Sequence, residues 1–383
     1  MKKSLLVCLW MMLGLLPCSA YIYGQYPDAT VKILHDENHV YFCQYKGVSV
    51  LDKKTGSWTS YSHQNGMLPA EMQATIALRS DTLWVGGCTD GWLSAICNGK
   101  VESRQYKQIK DGTNSDGTHS EFYGSVNEIA FDAQGRMVLG LGNCVRGVVD
   151  WKPLECYAIP SLVTEQFIEG MQFDTEGSLW IACAGLQYQN ALTRYTFEDG
   201  VDFLLTRLEK PYPFRFDACS CLAIDKDGVL WFNPGNQLVK YDGETFTAYE
   251  TGINANDMAF DGQERLWMVK TGGLCCLVNG NIIGEYNYER PNPFQFPFFD
   301  EWFCLDIDDD IIYVGTAYGA LKFENGEIAP FELPDLSTGI TPTLASPENS
   351  QPATMFTLGG TAVTSSSRMT KGVYIENGRK QIK

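Results

Sequence analysis

The sequence has few histidines and none of the short motifs that mark common catalytic centres. Its 383 residues include only four histidines. It contains no H-E-x-x-H zinc motif, no G-x-S-x-G nucleophile turn and no Walker phosphate loop. Because acid–base and metal-assisted catalysis draw on histidine or clustered carboxylates, this scarcity argues against an enzyme without excluding one. We therefore predict no catalytic residue, no metal site and no cofactor.

Positive charge is also scarce. Lysine and arginine number 29 against 46 aspartate and glutamate residues, which gives a net charge of −17. Such a chain is repelled by the phosphates of nucleic acids and by anionic membranes. The sequence therefore predicts no nucleic-acid partner.

Long hydrophobic runs are absent, and the longest one is terminal. The run Leu5–Leu16 has about 12 residues, too few to span a bilayer. Lys2 and Lys3 precede it and the small residues Cys18-Ser19-Ala20 follow it, which is the pattern of a secretory signal. We predict a signal peptide over residues 1–20, an exported mature chain and no membrane insertion. A lipoprotein signal at Cys18 is the alternative.

The 13 cysteines lack the spacing of a zinc site, because no C-x-x-C pair is followed by a second pair. Two of them lie in the predicted signal, and the odd remainder cannot pair completely. We interpret most of them as small buried hydrophobic residues. One or two disulfides are the alternative in an exported protein.

A repeated segment dominates the rest of the chain. Four good copies and three weaker ones share an apolar alternating strand, a turn and a second strand, which carries an aromatic residue in every copy except Ile129–Leu139. The good copies are Cys221–Phe232, Met171–Ile181, Ile129–Leu139 and Met258–Met268, and the weaker copies are Ile76–Val85, Leu305–Val314 and Ile33–Phe42. Their mean spacing of about 45 residues is the length of a four-stranded propeller blade.

Each unit carries its own turn signals. The aspartate of the Asp-x-x-Gly turn caps the turn, and the glycine supplies a positive φ. A second hairpin follows with the signal of a type I′ turn, as at Asn98-Gly99, Asp242-Gly243, Asn279-Gly280 and Asn325-Gly326. We therefore predict an all-β fold, a β-propeller of about seven four-stranded blades over residues 21–333. The recurring tryptophan is predicted to fill the space between blades.

The pattern Asp-x-x-Gly-x-Leu-Trp, with Gly66-Met67-Leu68-Pro69 before the second copy, resembles the two-component regulator propeller repeat. The resemblance covers about residues 30–333. In that family the repeats form the periplasmic sensor part of hybrid histidine kinases. This sequence shows neither a kinase nor a transmembrane helix, so the resemblance implies ligand binding alone.

The composition changes after the last repeat. Residues 334–353 are rich in Ser, Thr and Pro and are predicted to be a linker. Residues 354–383 are predicted to form a short C-terminal β module with a hairpin at Asn377-Gly378. Its final segment resembles the C-terminal sorting domain of the type IX secretion system of Bacteroidetes. That segment is Lys371-Gly372-Val373-Tyr374-Ile375 and the residues after it. The resemblance implies a partner in the secretion machinery and a location at the cell surface or outside the cell. A periplasmic location is the runner-up, and an ordinary terminal hairpin is the alternative to a sorting domain.

Aromatic residues are concentrated in the connections that a propeller carries on one face. Rigid aromatic side chains beside a channel suit stacking on sugars or gripping a peptide. The candidate ligand-binding residues are Trp92, Tyr123, Tyr188, Tyr212, Phe214, Phe216, Phe294, Phe296, Phe298 and Trp302. The alternative is that they only cover the end of the propeller.

Three functional hypotheses follow from the sequence. The first is a non-enzymatic secreted or surface propeller that binds a glycan or protein. The second is an enzyme of the propeller lyase or lactonase type, in which His63 or His119 would reach a pocket. The third is a structural or adhesive surface protein.

The run Asp306–Asp310 resembles the start of a calcium loop but lacks its glycine and glutamate, so we interpret it as an exposed turn.

Overall fold

The structure is a computed structural model that describes most of the repeat region. The described residues are 26, 28–109, 121–142, 144–158, 167–184, 192–197, 205–207, 219, 221–288, 302–336, 355–357, 362–363, 373–376 and 379–382. These residues form strands, turns and bends, and no helix is found among them. The prediction of an all-β fold is confirmed.

Seven four-stranded antiparallel sheets follow one another along the chain, and each is built from four consecutive strands. Blade 1 contains β1 (Thr30–His35), β2 (His39–Gln44), β3 (Gly47–Asp52) and β4 (Trp58–Ser62). Blade 2 contains β5 (Gln73–Arg79), β6 (Thr82–Gly87), β7 (Trp92–Cys97) and β8 (Lys100–Gln105). A two-stranded ribbon, β9 (Lys107–Ile109) and β10 (Glu121–Tyr123), then precedes blade 3.

Blade 3 contains β11 (Glu128–Phe131), β12 (Met137–Leu141), β13 (Cys144–Val149) and β14 (Lys152–Ala158). Blade 4 contains β15 (Phe167–Phe173), β16 (Leu179–Ala184), β17 (Leu192–Phe197) and β18 (Leu205–Arg207). Blade 5 contains β19 (Leu222–Ile224), β20 (Leu230–Phe232), β21 (Leu238–Tyr241) and β22 (Phe246–Tyr249). Blade 6 contains β23 (Asp257–Phe260), β24 (Leu266–Lys270), β25 (Gly273–Val278) and β26 (Asn281–Asn287). Blade 7 contains β27 (Trp302–Asp308), β28 (Ile311–Thr316), β29 (Gly319–Glu324) and β30 (Glu327–Phe331).

The first strands of the blades form a closed ring. Each contacts the first strand of the next blade, and β27 of blade 7 returns to contact β1 of blade 1. The first strands are therefore the innermost ones and line a central channel. Four strands per sheet and seven sheets around one axis make the seven-bladed β-propeller that the repeats predict.

In blades 4, 5 and 6 the aspartate of the repeat accepts two kinds of hydrogen bond. One carboxylate oxygen accepts hydrogen bonds from backbone N–H groups of its own turn. The other accepts the indole N–H of the tryptophan six residues later, in the pairs Trp180–Asp174 (2.9 Å), Trp231–Asp225 (2.9 Å) and Trp267–Asp261 (2.8 Å). The three tryptophans are buried in the core. The repeat therefore couples the turn of each hairpin to the packing between blades.

The second hairpins confirm most of the predicted turns. Both central residues have positive φ at Asn98-Gly99, Asn279-Gly280 and Asn325-Gly326, as a type I′ turn requires. The prediction is wrong for Asp242-Gly243, where only the glycine has positive φ. There the Asp242 carboxylate caps the N–H groups of Glu244 and Thr245, which holds a different turn.

The cysteines behave as small core residues. Ten of the cysteines in the described ranges are thiols outside any disulfide, and nine of these ten are buried. The interpretation as buried hydrophobic residues is confirmed for this part of the chain.

The C-terminal segments form a separate small sheet. Its strands are β31 (Met355–Thr357), β32 (Ala362–Val363), β33 (Val373–Glu376) and β34 (Arg379–Ile382), in the order β32-β31-β33-β34. Val373 pairs with Ile382, so the predicted hairpin around Asn377-Gly378 is confirmed. The boundaries of the signal peptide, linker and sorting module stay predictions.

Candidate functional site

The sheet register defines one equivalent position on the first strand of every blade. In each blade, the residue at the tryptophan position of the repeat pairs with a residue of the first strand. The equivalent position lies two residues before that first-strand residue. Because strand side chains alternate with a period of two, side chains at this position point to the same side of their sheets. We call the set the channel ring: Lys32, Thr75, Glu128, Gly170, Cys221, Asp257 and Cys304.

An ion pair crosses the channel between blades that are not neighbours. Lys32 of blade 1 donates to Glu128 of blade 3, with 3.4 Å between Nζ and Oε1. Thr75 of blade 2 lies at the equivalent position between them. It is 1% exposed, and its hydroxyl has no hydrogen-bond partner among the described residues. The ring side chains of these three blades therefore share one space inside the propeller.

The channel ring contains two carboxylates, Glu128 and Asp257, and one ammonium group, that of Lys32. The negative charge of Glu128, helped by Asp257, raises the pKa of Lys32. Burial raises the pKa of Glu128 and of Asp257 although Lys32 opposes both shifts. The Asp257 carboxylate also accepts the N–H of Leu305 in blade 7 at 3.0 Å. Asp257 is therefore fixed to the neighbouring blade, whereas Glu128 depends on Lys32.

Glu169 brings a third carboxylate to this space. The register of β15 against β16 shifts between Ile168 and Gly170, so Glu169 is the extra residue of a β-bulge next to the ring position of blade 4. Burial among protein groups, followed by the charge of Glu128, raises the pKa of Glu169 to about 7. Its side chain is nevertheless exposed, which fits a carboxylate that faces the channel lumen. Among the described residues it has no hydrogen-bond or ion-pair partner. Bulges often re-aim a side chain at functional sites.

A cavity of about 490 Å³ adjoins the ring within the channel. That volume is in the usual range for small-molecule sites. The cavity is lined by the inner strands of blades 1, 2, 3, 4 and 7, with Lys32, Leu34, His35, Ile76, Ala77, Leu78, Arg79, Glu128, Ile129, Phe131, Met171 and Asp306. Seven of the twelve lining residues are apolar, and the other five, Lys32, His35, Arg79, Glu128 and Asp306, are charged or titratable.

A second charged group joins blade 7 to blade 1 at the hairpin end of the channel. His35 Nδ1 lies 2.7 Å from Asp306 Oδ2, and Lys53 donates to Asp308 at 2.7 Å. The hydrogen bond to Asp306 raises the pKa of His35. The expectation that Asp306–Asp310 is simply an exposed turn is therefore corrected, because Asp306 and Asp308 form ion pairs at the junction that closes the ring.

The loops between second and third strands and the connections between blades share one face, which we call the upper face. Among the predicted ligand-binding residues, Tyr123 is 46% exposed there and Trp92 is partly buried. The structure corrects the expectation for Trp302, which is the first residue of β27 and 0% exposed in the core. The other predicted residues lie outside the described residues: Tyr188, Tyr212, Phe214, Phe216, Phe294, Phe296 and Phe298.

The ribbon β9–β10 brings Tyr123 close to the start of β7. The N–H of Gly91, next to Trp92, donates to the carbonyl of Gly124, and the carbonyl of Gly91 accepts from Tyr106. Gly91 has a φ of +63°, and a Cβ there would lie 2.1 Å from the Tyr106 carbonyl oxygen, so only glycine fits. The ribbon thus has a fixed place beside Trp92.

Charges hold the other side of the ribbon. Buried Arg146 of blade 3 donates to Glu121 at 3.0 Å, and the Lys107 ammonium lies 5.6 Å from the centre of the Tyr123 ring. Phe122, on the opposite side of the strand, is 42% exposed. Both sides of β10 therefore present an aromatic ring to solvent on the upper face.

The described histidines do not gather at this face. His35 and His39 lie at the opposite, hairpin end, and the His63 ring lies 3.2 Å from the carbonyl of Leu68. His119 lies outside the described residues. Within the described part of the chain, no group of three or more His, Cys, Asp or Glu side chains is placed to hold a metal ion. A search of the same residues finds no helix long and apolar enough to cross a membrane.

The comparisons with known proteins identify the fold. No family model and no curated protein matches the chain. Among solved structures, virginiamycin B lyase from Staphylococcus aureus is similar at 17% identity with a TM-score of 0.57, over 77% of this chain and 94% of the lyase. A streptogramin B lyase is similar at 15% identity with a TM-score of 0.59, over 78% of this chain and 93% of the lyase.

Two further similar structures are extracellular or surface proteins. The extracellular domain of a hybrid two component system from B. thetaiotaomicron is 14% identical, with a TM-score of 0.56 over 89% of this chain and 44% of that one. PorZ, a surface component of the type-IX secretion system of Porphyromonas gingivalis, is 13% identical, with a TM-score of 0.54 over 93% of this chain and 59% of PorZ. At these identities the likeness establishes a shared propeller fold and nothing further.

Sequence reasoning missed the charged residues of the channel, although a signal was present. Lys32, Glu128 and Asp257 each stand immediately before a copy of the apolar repeat, and Glu169 stands two residues before another. A charge at the same offset in several copies of a buried strand indicates a shared polar space, because an isolated buried charge is costly.

Proposed function

We propose that this chain is an exported, non-enzymatic recognition protein that binds a glycan or protein ligand on the upper face of its propeller. The observation that carries the proposal is the ribbon β9–β10, whose Phe122 and Tyr123 are both exposed beside Trp92. Exposed aromatic rings on a rigid support stack on sugar faces and anchor peptides with little loss of conformational entropy.

The distribution of exposed apolar side chains supports the same face. Seven large apolar side chains are well exposed among the described residues. Met67, Phe122, Tyr123 and Tyr318 lie on upper-face loops or on the ribbon, and none of the seven lies on a first hairpin. Exposed apolar residues that gather on one face mark interaction surfaces.

The location is part of the proposal. The extracellular or surface context of two similar structures agrees with an exported chain. We propose that residues 1–20 direct export and that residues 354–383, which contain the sheet β31–β34, are recognised by the type IX secretion machinery. Deletion of residues 354–383 should retain the protein in the periplasm, and unchanged release into the medium would contradict that role.

The binding proposal is tested with glycan arrays and with crosslinking to surface proteins of the source cells, using wild-type protein and Tyr123→Ala. An anchoring aromatic residue contributes about 2 kcal/mol, or roughly thirtyfold in affinity. Ile283→Ala is the matched control, because Ile283 is the most exposed of the large apolar residues that the structure describes and lies on the outer strand of blade 6. Equal binding by the two variants would contradict an upper-face site.

An enzyme of the propeller lyase type is the second candidate. One observation favours it: burial raises the pKa of the Glu169 carboxyl to about 7, in the range that suits a general base, and Glu169 stands two residues before Met171 of the cavity wall. Turnover of a candidate substrate that is lost in Glu169→Gln, with retained turnover in Tyr123→Ala, would favour catalysis over recognition. If neither glycan nor protein binding nor turnover is found, a structural or adhesive role remains.

A further inference from the structure

One position of the repeat carries the opposite charge in blade 2. In the other six blades an aspartate stands four residues after the channel-ring position, where the first hairpin turn begins. These residues are Asp36, Asp132, Asp174, Asp225, Asp261 and Asp308. Blade 2 has Arg79 at this position. Trp84 of blade 2 therefore lacks the carboxylate that accepts the indole N–H in blades 4, 5 and 6, and no described residue accepts it instead.

Arg79 gains no charged partner in exchange. Its side chain forms no ion pair or hydrogen bond with another described residue, and Asp132 at the equivalent turn of blade 3 is paired with Arg136. Positions that break the local rules of a fold without a structural gain are expected at functional sites. The guanidinium of Arg79 is therefore free to bind an anion.

The fold nevertheless gives this guanidinium a defined place. Its central carbon lies 6.0 Å from the centre of the Phe131 ring of blade 3. It also lies against the turn of that blade, where a Cβ on Gly135 would be 2.7 Å from an Arg79 nitrogen. Arg79 and Phe131 both line the cavity of about 490 Å³. A guanidinium that packs on an aromatic face keeps the N–H groups of its edge available for a planar acceptor.

The other charged groups of the cavity wall already have partners. Lys32 donates to Glu128 at 3.4 Å, and the rings and carboxylates of the opposite side meet at 2.7 Å between His35 and Asp306. The rest of the wall is apolar, with Leu34, Ile76, Ala77, Leu78, Ile129, Phe131 and Met171. Among the groups that line the cavity, Arg79 is thus the one charge without a counter-charge.

Arg79 is also well separated from the carboxylates of the ring, which would repel an anion. It stands at the hairpin end of β5, four residues after Thr75 of the ring. Four strand residues span about 13 Å. An anion on Arg79 is therefore held at the opposite end of the inner strand from the level of Glu128 and Asp257.

We propose that this cavity binds a small organic carboxylate with an apolar body, the carboxylate on Arg79 and the body against the apolar wall. A guanidinium donates two parallel N–H bonds to a carboxylate, and the cavity volume is in the usual range for small-molecule sites. The site is separate from the upper-face ribbon and does not depend on the function proposed above.

The test is isothermal titration calorimetry of the full chain with phenylacetate. Phenylacetamide is the neutral analogue of the same shape, and acetate has the charge without the apolar body. We expect one saturable site for phenylacetate and at least tenfold weaker binding of both analogues, because the ion pair and the apolar contact each contribute.

Variants of Arg79 separate charge from shape. Arg79→Gln should weaken phenylacetate binding at least tenfold and leave phenylacetamide binding unchanged. Arg79→Lys keeps the charge but loses the paired N–H groups, so its affinity should lie between those of wild type and Arg79→Gln. Arg104→Gln is the matched control, since Arg104 is on the outer strand of the same blade and does not line the cavity. It should bind phenylacetate as wild type does.

Arg79→Asp restores the residue of the other blades. It should abolish phenylacetate binding and raise the unfolding midpoint, because the Trp84 indole regains an acceptor. A lower midpoint would show that Arg79 serves the fold and would overturn the proposal. Absence of saturable phenylacetate binding at millimolar concentration, equal binding of either analogue, or unchanged binding in Arg79→Gln would overturn it too. Upper-face ligand binding should be unaffected in every Arg79 variant, so the two proposals fail independently.

Discussion

The hydrogen bond between Asp225 and Trp231 should be a measurable part of the stability of blade 5. Asp225→Ala removes the acceptor of two turn N–H groups, those of Asp227 and Val229, and of the Trp231 indole N–H. Water replaces the carboxylate at the exposed turn, so each of those two bonds contributes about 0.5 kcal/mol. The buried indole N–H is left without a partner, which costs about 1–3 kcal/mol. The free energy of unfolding should therefore fall by about 2–4 kcal/mol.

A double-mutant cycle isolates the indole bond from these other losses. Trp231→Phe alone and with Asp225→Ala should give a coupling energy of about 1.5 kcal/mol, because the bond joins a neutral donor to a charged acceptor. In blade 6 the Asp261 oxygen that accepts from Trp267 also accepts from Arg265 at 2.6 Å. The corresponding cycle there should give a smaller coupling. Urea unfolding followed by far-ultraviolet circular dichroism is the assay, since removing a tryptophan changes the fluorescence probe.

Asp242→Ala is the control for turn capping. Asp242 accepts hydrogen bonds from Glu244 and Thr245 of its own exposed turn and from no tryptophan. Its loss should destabilise the protein less than Asp225→Ala does. A coupling energy below about 0.5 kcal/mol, or equal destabilisation by the two aspartate variants, would refute the idea that the repeat joins the turn to the core through the indole.

Two further predictions concern pH. His35 gains stability from the charged form at Asp306, so that contribution is present below pH 6.5 and is lost as the pH rises through the raised pKa of His35. His35→Gln should cost about 1 kcal/mol in mildly acidic buffer and less at higher pH, and a pH-independent cost measured by urea unfolding would contradict the pairing. The pKa of Glu169 is raised from 4.5 to about 7, so ionising it in the folded state opposes folding increasingly between those two values. Glu169→Gln should therefore raise the unfolding midpoint at pH 8 and leave it unchanged at pH 4. The control Glu327→Gln, at an exposed carboxylate of the outer strand of blade 7, should leave the midpoint unchanged at both pH values. A higher midpoint of Glu169→Gln at pH 4 as well would show that charge is not the cause.

Much of the fold could be predicted because residues close together in the sequence define each repeat. The Asp-x-x-Gly turn, the alternating strand before it and the Leu-Trp pair after it lie within about a dozen residues, as in Cys221–Phe232. Each signal acts on its own hairpin. Seven copies then imply a closed ring, because one such sheet cannot bury both of its faces.

The channel could not be predicted in the same way because its contacts join distant parts of the chain. Lys32 and Glu128 are 96 positions apart, and His35 and Asp306 are 271 apart. Glu169 depends on a bulge that shifts the alternation of β15 by one residue, and a bulge leaves no clear mark in the sequence. Trp302 was misplaced for a simpler reason: β27 begins at Trp302 itself, so this residue belongs to the strand and not to the aromatic connection before it.

Two polar contacts beside the channel lie where the ring closes. No blade combines strands from the two ends of the repeat region, so no sheet ladder among the described residues joins blade 7 to blade 1. Apolar packing such as Phe42 against Tyr313 contributes area but little direction. The pairs of His35 with Asp306 and of Lys53 with Asp308 add directional bonds at the same junction. The two ion pairs therefore fix how blade 7 is oriented on blade 1, and with it the shape of the channel that the inner strands enclose.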